Sequence, residues 1–181
     1  MESLRGRLLI ASPMLVDPNF ARSVILITEH TDEGAMGVVL NRPSPAAVGE
    51  AVPELSELAG EESLIYVGGP VQVDALIVLA EFRDRAAAAT IVVADVGLVS
   101  ADVDTPELAA ATRRARVFAG YSGWGPGQLE GELEEEAWIV EAPVPGELFA
   151  DDPDRLWSAV LARKGGRYAL LARMPSDPSQ N

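Results

Sequence analysis

The chain has 181 residues, 48% hydrophobic and 23% charged, with 28 acidic against 14 basic side chains, a net charge of −14, one His and no Cys. Its length suits one domain with a sizeable core, and its composition excludes a disordered or fibrous chain. The missing Cys exclude disulfides, thiolate nucleophiles and Cys-based zinc or iron–sulfur sites. The acidic balance opposes direct nucleic-acid binding, whose affinity comes largely from phosphate neutralisation.

Leu8 to Ala11 reads as a strand stopped at Pro13, too short for a signal peptide or a membrane span. Asp17-Pro18-Asn19 is turn chemistry. Ser23 to Thr28 is a continuous, β-branched apolar run, the pattern of a strand buried on both faces. A polar loop over 29–34 then leads to a strand over 36–40, making a hairpin with a longish connection. The Pro- and Ala-rich stretch to Pro53 reads as a connection with a short helix around 48–58, bent or broken at Pro53. Strands follow at 64–67, 76–80 and 90–94. Asp104 to Ala111 reads as a helix with Asp104 as N-cap and Glu107 completing a capping box. Arg113, Arg114 and Arg116 are read as cations at that helix's C-terminus.

A strand over 116–119 runs into the glycine-rich segment Gly120 to Gly127, read as a folded loop, then a short helix around 128–134 and a strand over 138–140. The last helix is the clearest. Asp151, Asp152 and Asp154 surround Pro153 at its start, Leu156, Trp157, Val160 and Leu161 form its apolar stripe, and Arg163, Lys164 and Gly165-Gly166 end it. A final strand is expected over 168–171. The domain is expected to span residues 1–174, with 175–181 as a flexible tail. The expected fold is α+β: a twisted, largely antiparallel or mixed sheet tending toward an open barrel, with several short helices packed around it.

Several chemistries lack their residues. Lys164 has no P-loop context. Gly123, Gly125 and Gly127 alternate with Pro126 between two of them, which fails the dinucleotide fingerprint. A single His removes every two-His metal motif, and no metal site or cofactor is expected. Gly120-Tyr121-Ser122-Gly123-Trp124 approaches a nucleophile elbow, but its fifth position is Trp. The five carboxylates at Glu130, Glu132, Glu134, Glu135 and Glu136 read as a solvated helix face.

The residues that remain as candidates stand at strand ends and in the glycine-rich segment. His30 has Glu29 beside it and Asp32 nearby, which can tune an imidazole. Asn41-Arg42-Pro43 closes a strand, and Arg42 has the fork to clamp a carboxylate or phosphate. Gly68-Gly69-Pro70 can expose backbone N–H groups. Gly120, Tyr121, Trp124, Gln128 and Glu130 combine backbone freedom, amphipathic aromatics and polar tips. Together these eleven residues are the candidate ligand-binding set. No residue is assigned as catalytic.

These pieces together resemble the YqgE/AlgH family of bacterial proteins. The resemblance runs from Gly6 to about Leu171. It rests on Leu8-Leu9-Ile10-Ala11 with Pro13 and Asp17 to Phe20, on Glu29-His30, on Gly37 with Leu40-Asn41-Arg42-Pro43, and on Gly68-Gly69-Pro70. It continues through Phe118 to Trp124, Gly127 to Glu130, Glu132 and Trp138. No one motif is specific; their order and spacing are. One departure is the absence of a His after the Gly68-Gly69-Pro70 strand, where this chain has Leu79-Ala80-Glu81-Phe82. The resemblance implies a compact α/β-type fold in a cytoplasmic bacterial protein. Some members carry a transcriptional-regulator label from the genetics of exopolysaccharide production.

The expected function is a cytoplasmic small-ligand-binding module for a polar or anionic ligand, with an indirect regulatory role. One alternative is a protein-interaction adaptor, or a regulator acting without strong direct DNA binding. The other is a hydrolase or transferase using His30 with Glu29 or Glu130. No membrane partner is expected.

Overall fold

The computed structural model describes residues 2–100 and 104–175. In chain order the elements are β1 (Leu8–Ala11), β2 (Val24–Thr31), β3 (Gly34–Val39), β4 (Pro43–Ala47), α1 (Val48–Ala51), α2 (Ser56–Ala59), β5 (Leu64–Val67), β6 (Val71–Phe82), β7 (Thr90–Val93) and β8 (Val96–Leu98), then α3 (Thr105–Ala111), β9 (Thr112–Trp124), α4 (Gln128–Glu134), β10 (Trp138–Glu141), α5 (Pro153–Lys164) and α6 (Arg167–Leu171). Of the expected tail, residues 176–181 lie outside the described residues. No described helix is long and apolar enough to cross a membrane.

The fold is α+β and forms two compact units. The first joins the chain up to Arg42 with the chain from Gly123 onward, and the second is Pro43–Ser122. In the first unit the strands run β10-β1-β2-β3, all antiparallel, and the path is not closed. β1 and the first five residues of β2 are buried at every position, as expected of apolar runs covered on both faces. One face carries a cluster of Leu9, Ala11, Ile25, Ile27, Val39, Trp124, Leu129 and Trp138. The helix α5 buries its predicted stripe of Leu156, Trp157, Val160 and Leu161, and the Trp157 indole donates to the Ala11 carbonyl at 2.8 Å.

The second unit has the strand order β7-β8-β6-β9, antiparallel throughout, with β5 parallel to β9 and β4 antiparallel to β5. Leu58 of α2 and Leu108 of α3 meet Ala80 and Phe82 of β6. Val48 of α1 meets Ile65 and Val117 on the strands β5 and β9. The helical stretch breaks at Pro53, as expected, into α1, a single 3₁₀ turn and α2.

Several expectations are corrected by pairing that local sequence does not show. The 29–34 segment is not a long loop: β2 continues through Thr31, and Asp32-Glu33 alone make the turn, because Glu29, His30 and Thr31 each find a partner on β3. Residues 43–47 form a strand despite two Pro, tolerated there because, among the described residues, β4 pairs on one side only. Residues 120–124 continue β9 instead of forming a loop. The three Arg at 113, 114 and 116 also lie in β9, where its long register with β6 overrides the expected helix end. Asp104 precedes α3 without a side-chain cap hydrogen bond. Residues 167–171 are helical, not a strand: Ala and Leu favour helix, and the turn packs against α5.

Loss of the Trp157 indole donor isolates one link between α5 and β1. Trp157→Phe should cost about 1–3 kcal/mol, since it orphans the Ala11 carbonyl. Trp157→Ala should cost about 3–5 kcal/mol by adding a cavity. Urea unfolding followed by circular dichroism measures both, and a Trp157→Phe variant as stable as the wild type would remove the hydrogen bond from the account.

Candidate functional site

A β-bulge decides where His30 points. The register of β2 against β3 slips between Ile27 and Glu29, and a bulge re-aims the side chains beyond it. Ile25 and Ile27 face the cluster that contains Leu129 of α4. After the slip Glu29 is exposed, and His30 turns inward with its side chain 4% exposed. There its Nε2 meets Glu130 Oε1 of α4 at 2.7 Å, and its Nδ1 accepts the Leu4 N–H at 2.9 Å. An amide N–H can only donate, so Nδ1 is the acceptor and Nε2 carries the proton given to Glu130. The hydrogen bond from His30 holds the Glu130 carboxyl below the usual Glu range, aided by a backbone N–H.

Two residues along α4, Glu132 accepts from both Trp124 Nε1, at 3.1 Å, and Trp138 Nε1, at 2.9 Å. Gln128 donates to the other Glu132 oxygen and accepts the Gly125 N–H. The two indoles lie edge to face, 6.1 Å apart, and Phe20 packs on both. Trp124, Gln128 and Glu130 therefore belong to one network fastening α4 to its sheet. Asn41 and Arg42 hold a different place in the same unit. Asn41 accepts from Val24 N–H and donates to the Arg22 carbonyl. Arg42 donates to the carbonyls of Asn19 and Ala21, and burial lowers its pKa against the opposing pull of Asp17. Both clasp the 17–22 loop.

The other candidates sit in the second unit. A Cβ on Gly69, whose φ is +154°, would lie 2.2 Å from the Tyr121 carbonyl oxygen, and one on Gly68 would lie 2.3 Å from that of Gly120. These glycines let the turn before β6 touch the β9 backbone, and Pro70 completes that turn. Ser122 is fully buried and donates to the Gly68 carbonyl at 3.1 Å. The arrangement suits no nucleophile, and His30 has neither ring nitrogen left for a substrate. In the basic stretch Arg114 pairs with Glu81 at 3.2 Å, Arg113 with Asp95 at 3.9 Å, and Arg116 covers the Tyr66 ring.

A concavity in the first unit lies elsewhere. A cleft of about 400 Å³ runs beside β10 and α6, lined by Trp138, Val140, Glu136, Lys164, Arg167 and Tyr168 among others. Lys164 donates to the Val140 carbonyl at 3.2 Å and to Glu141 at 3.3 Å. Burial opposes the Glu141 charge, but the Ala142 amide and Lys164 outweigh it and hold its pKa low. Arg167 bonds the Tyr168 hydroxyl, and both cations lie 5.0 Å from the Tyr168 ring. Reading Lys164 only as a helix-terminal cation misses this cleft. The signal available was the one Lys among thirteen Arg, followed by Gly165-Gly166, Arg167 and Tyr168.

The His30–Glu130 pair predicts a pH dependence. A depressed carboxylate contributes stability that is fully present above the unfolded Glu pKa of about 4.3 and is lost as pH falls through the lower folded value. Glu130→Gln keeps an acceptor for His30 but not the charge. The stability gap between wild type and Glu130→Gln, measured by urea unfolding from pH 6 to 3, should therefore shrink on acidification. A gap independent of pH would show that the charge contributes nothing.

Residues 8–169 match the model of the AlgH-like family. A UPF0301 protein of Streptomyces coelicolor is 44% identical over 187 residues, covering all of this chain and 97% of its own length. A UPF0301 protein of Thermobifida fusca is 43% identical over 190 residues, covering 99% and 96%. A Corynebacterium diphtheriae protein of known crystal structure superposes with a TM-score of 0.88 at 29% identity, covering 96% of this chain and 94% of that one. The solution structure of AlgH from Pseudomonas aeruginosa gives 0.73 at 32% identity, covering 97% and 98%. A family match over nearly the whole length, with relatives this similar, leaves one conclusion: the chain belongs to the AlgH-like family.

Proposed function

We propose that the first unit is a binding module for a small anionic ligand, working in the cytoplasm with an indirect regulatory consequence. The observation that carries this reading is the cleft beside β10 and α6. At about 400 Å³ it falls within the range of small-molecule sites. Its floor is partly apolar, from Leu133, Ile139 and Leu171, and its polar groups are Lys164, Arg167, Tyr168 and Ser12. Glu136 is the carboxylate in the lining. Two cations facing one hollow in a chain of net −14 make a local attraction for anions against a repelling background. The polar candidates of the His30 and Arg42 neighbourhoods support the site indirectly by fixing α4 and the 17–22 loop. Direct DNA contact is disfavoured by the net charge and by the carboxylate partners of Arg113 and Arg114.

A second reading, a protein-interaction adaptor, has its own observation in the second unit. Val67, Ala119 and Leu76 stand in one row across β5, β9 and β6, with Val67 40% and Leu76 44% exposed.

Thermal unfolding against nucleotides, organic acids, sugar phosphates and divalent metals separates the readings. An anion at about 100 times its Kd should raise the Tm by about 5–10 °C. The shift should vanish in Arg167→Ala and Lys164→Met and persist in His30→Gln. No shift with any anion, or an equal shift in Arg167→Ala, would overturn the binding reading and leave the adaptor.

A further inference from the structure

The cleft has a wall made of backbone. Among the described residues β10 pairs only with β1, and Ser12 N–H donates to the Ala137 carbonyl. In an antiparallel ladder the bonded pairs alternate. With Leu9 opposite Val140 and Ala11 opposite Trp138, the bonded pairs are Ser12 with Ala137, Ile10 with Ile139 and Leu8 with Glu141. The Ala11 N–H confirms the alternation by turning the other way, to Ser23. The backbone groups of Trp138 and Val140 therefore point away from β1, on the side where Trp138, Ile139 and Val140 line the cleft. Lys164 takes the Val140 carbonyl. Among the described residues, the Trp138 N–H, the Trp138 carbonyl and the Val140 N–H make no hydrogen bond within the chain.

Building on the binding reading above, we propose that the ligand class is peptidic: a short extended segment ending in a carboxylate adds to the outer edge of β10. Its main chain matches the donor–acceptor–donor sequence of Trp138 N–H, Trp138 C=O and Val140 N–H. Strand addition of this kind draws affinity from main-chain bonds and selectivity from flanking side-chain pockets. Lys164 and Arg167 receive the carboxylate, and the Tyr168 ring, Leu133 and Leu171 accept apolar side chains. A compact anion such as phosphate or citrate satisfies the cations but leaves the strand edge unpaired. An extended segment of three residues spans about 10 Å, against the four residues of β10.

The test uses N-acetylated tetrapeptides with free C-termini, presented as a positional-scanning library to the whole chain, with binding read from Trp fluorescence. Peptides should bind, and N-methylation of the residue whose N–H faces the Trp138 carbonyl should weaken the best one at least tenfold. Methylating its neighbour, whose N–H points away from β10, should change affinity less than threefold. Val140→Pro removes one outward N–H at an edge position that tolerates Pro. It should weaken peptides at least tenfold. If Val140→Pro fails to fold, the methylated peptides decide on the wild-type chain. Anion shifts without peptide binding would overturn the peptide assignment and leave the binding module standing. Peptide binding indifferent to both methylation and Val140→Pro would overturn strand addition. Neither peptide nor anion binding would overturn both readings.

Discussion

The carboxylate of Glu132 accepts a hydrogen bond from each of two buried indoles, Trp124 at the end of β9 and Trp138 at the start of β10. Withdrawing a carboxylate even partly from water is costly unless its oxygens are bonded, and here Gln128 supplies a third donor to the half-buried Glu132. Removing the acceptor would leave two indole N–H groups unsatisfied, each worth about 1–3 kcal/mol when orphaned. The bond fixes α4 in rotation and height. That placement sets Glu130 opposite His30 and Leu129 and Leu133 against the sheet. It also sets the start of β10, and with it which backbone groups face outward into the cleft.

The bulge in β2 is the second constraint. A strand of strict alternation would put Glu29 on the face of Ile25 and Ile27, over the apolar cluster. The slip exchanges it for His30, whose two ring nitrogens have partners waiting on α4 and the N-terminal segment. His, Glu, Gln, Asn and Arg residues of the kind that signal chemistry in a sequence are here bonded inward to one another and to backbone. Their polar atoms hold α4 and the 17–22 loop in place, and the open hollow lies beyond them, beside β10.

What was legible in the sequence follows from how local the physics is. Leu8–Ala11 is a buried strand because its run of apolar residues admits no other placement. α4 begins at Gln128 and α5 at Pro153, where sequence chemistry alone sets the ends. The elements missed are those decided by distant partners. β4 exists because β5 offers an edge to a Pro-rich segment, and the Arg stretch of β9 extends because β6 runs alongside it, with Glu81 opposite Arg114. Tertiary pairing overrides local preference in such segments. The candidate site divided in the same way. Trp124, Gln128 and Glu130, close in sequence, fall in one network around α4. The cleft was not legible, since it needs the free side of β10 to meet the turn after α5, two segments far apart in type though near in sequence.

Lys164 has two duties that the geometry does not separate. An exposed strand edge is a template for unwanted pairing, and a Lys placed on it blocks indiscriminate addition. Its ammonium already occupies the Val140 carbonyl and is held there by Glu141. Among the described residues that leaves three backbone groups open instead of four, so a long neutral strand would meet a cation where it needs a donor of its own. A short segment ending in a carboxylate meets the same cation as a partner. Under the proposed strand addition, one side chain rejects the generic strand and accepts the anionic one, and the edge is protected by the feature that makes it selective.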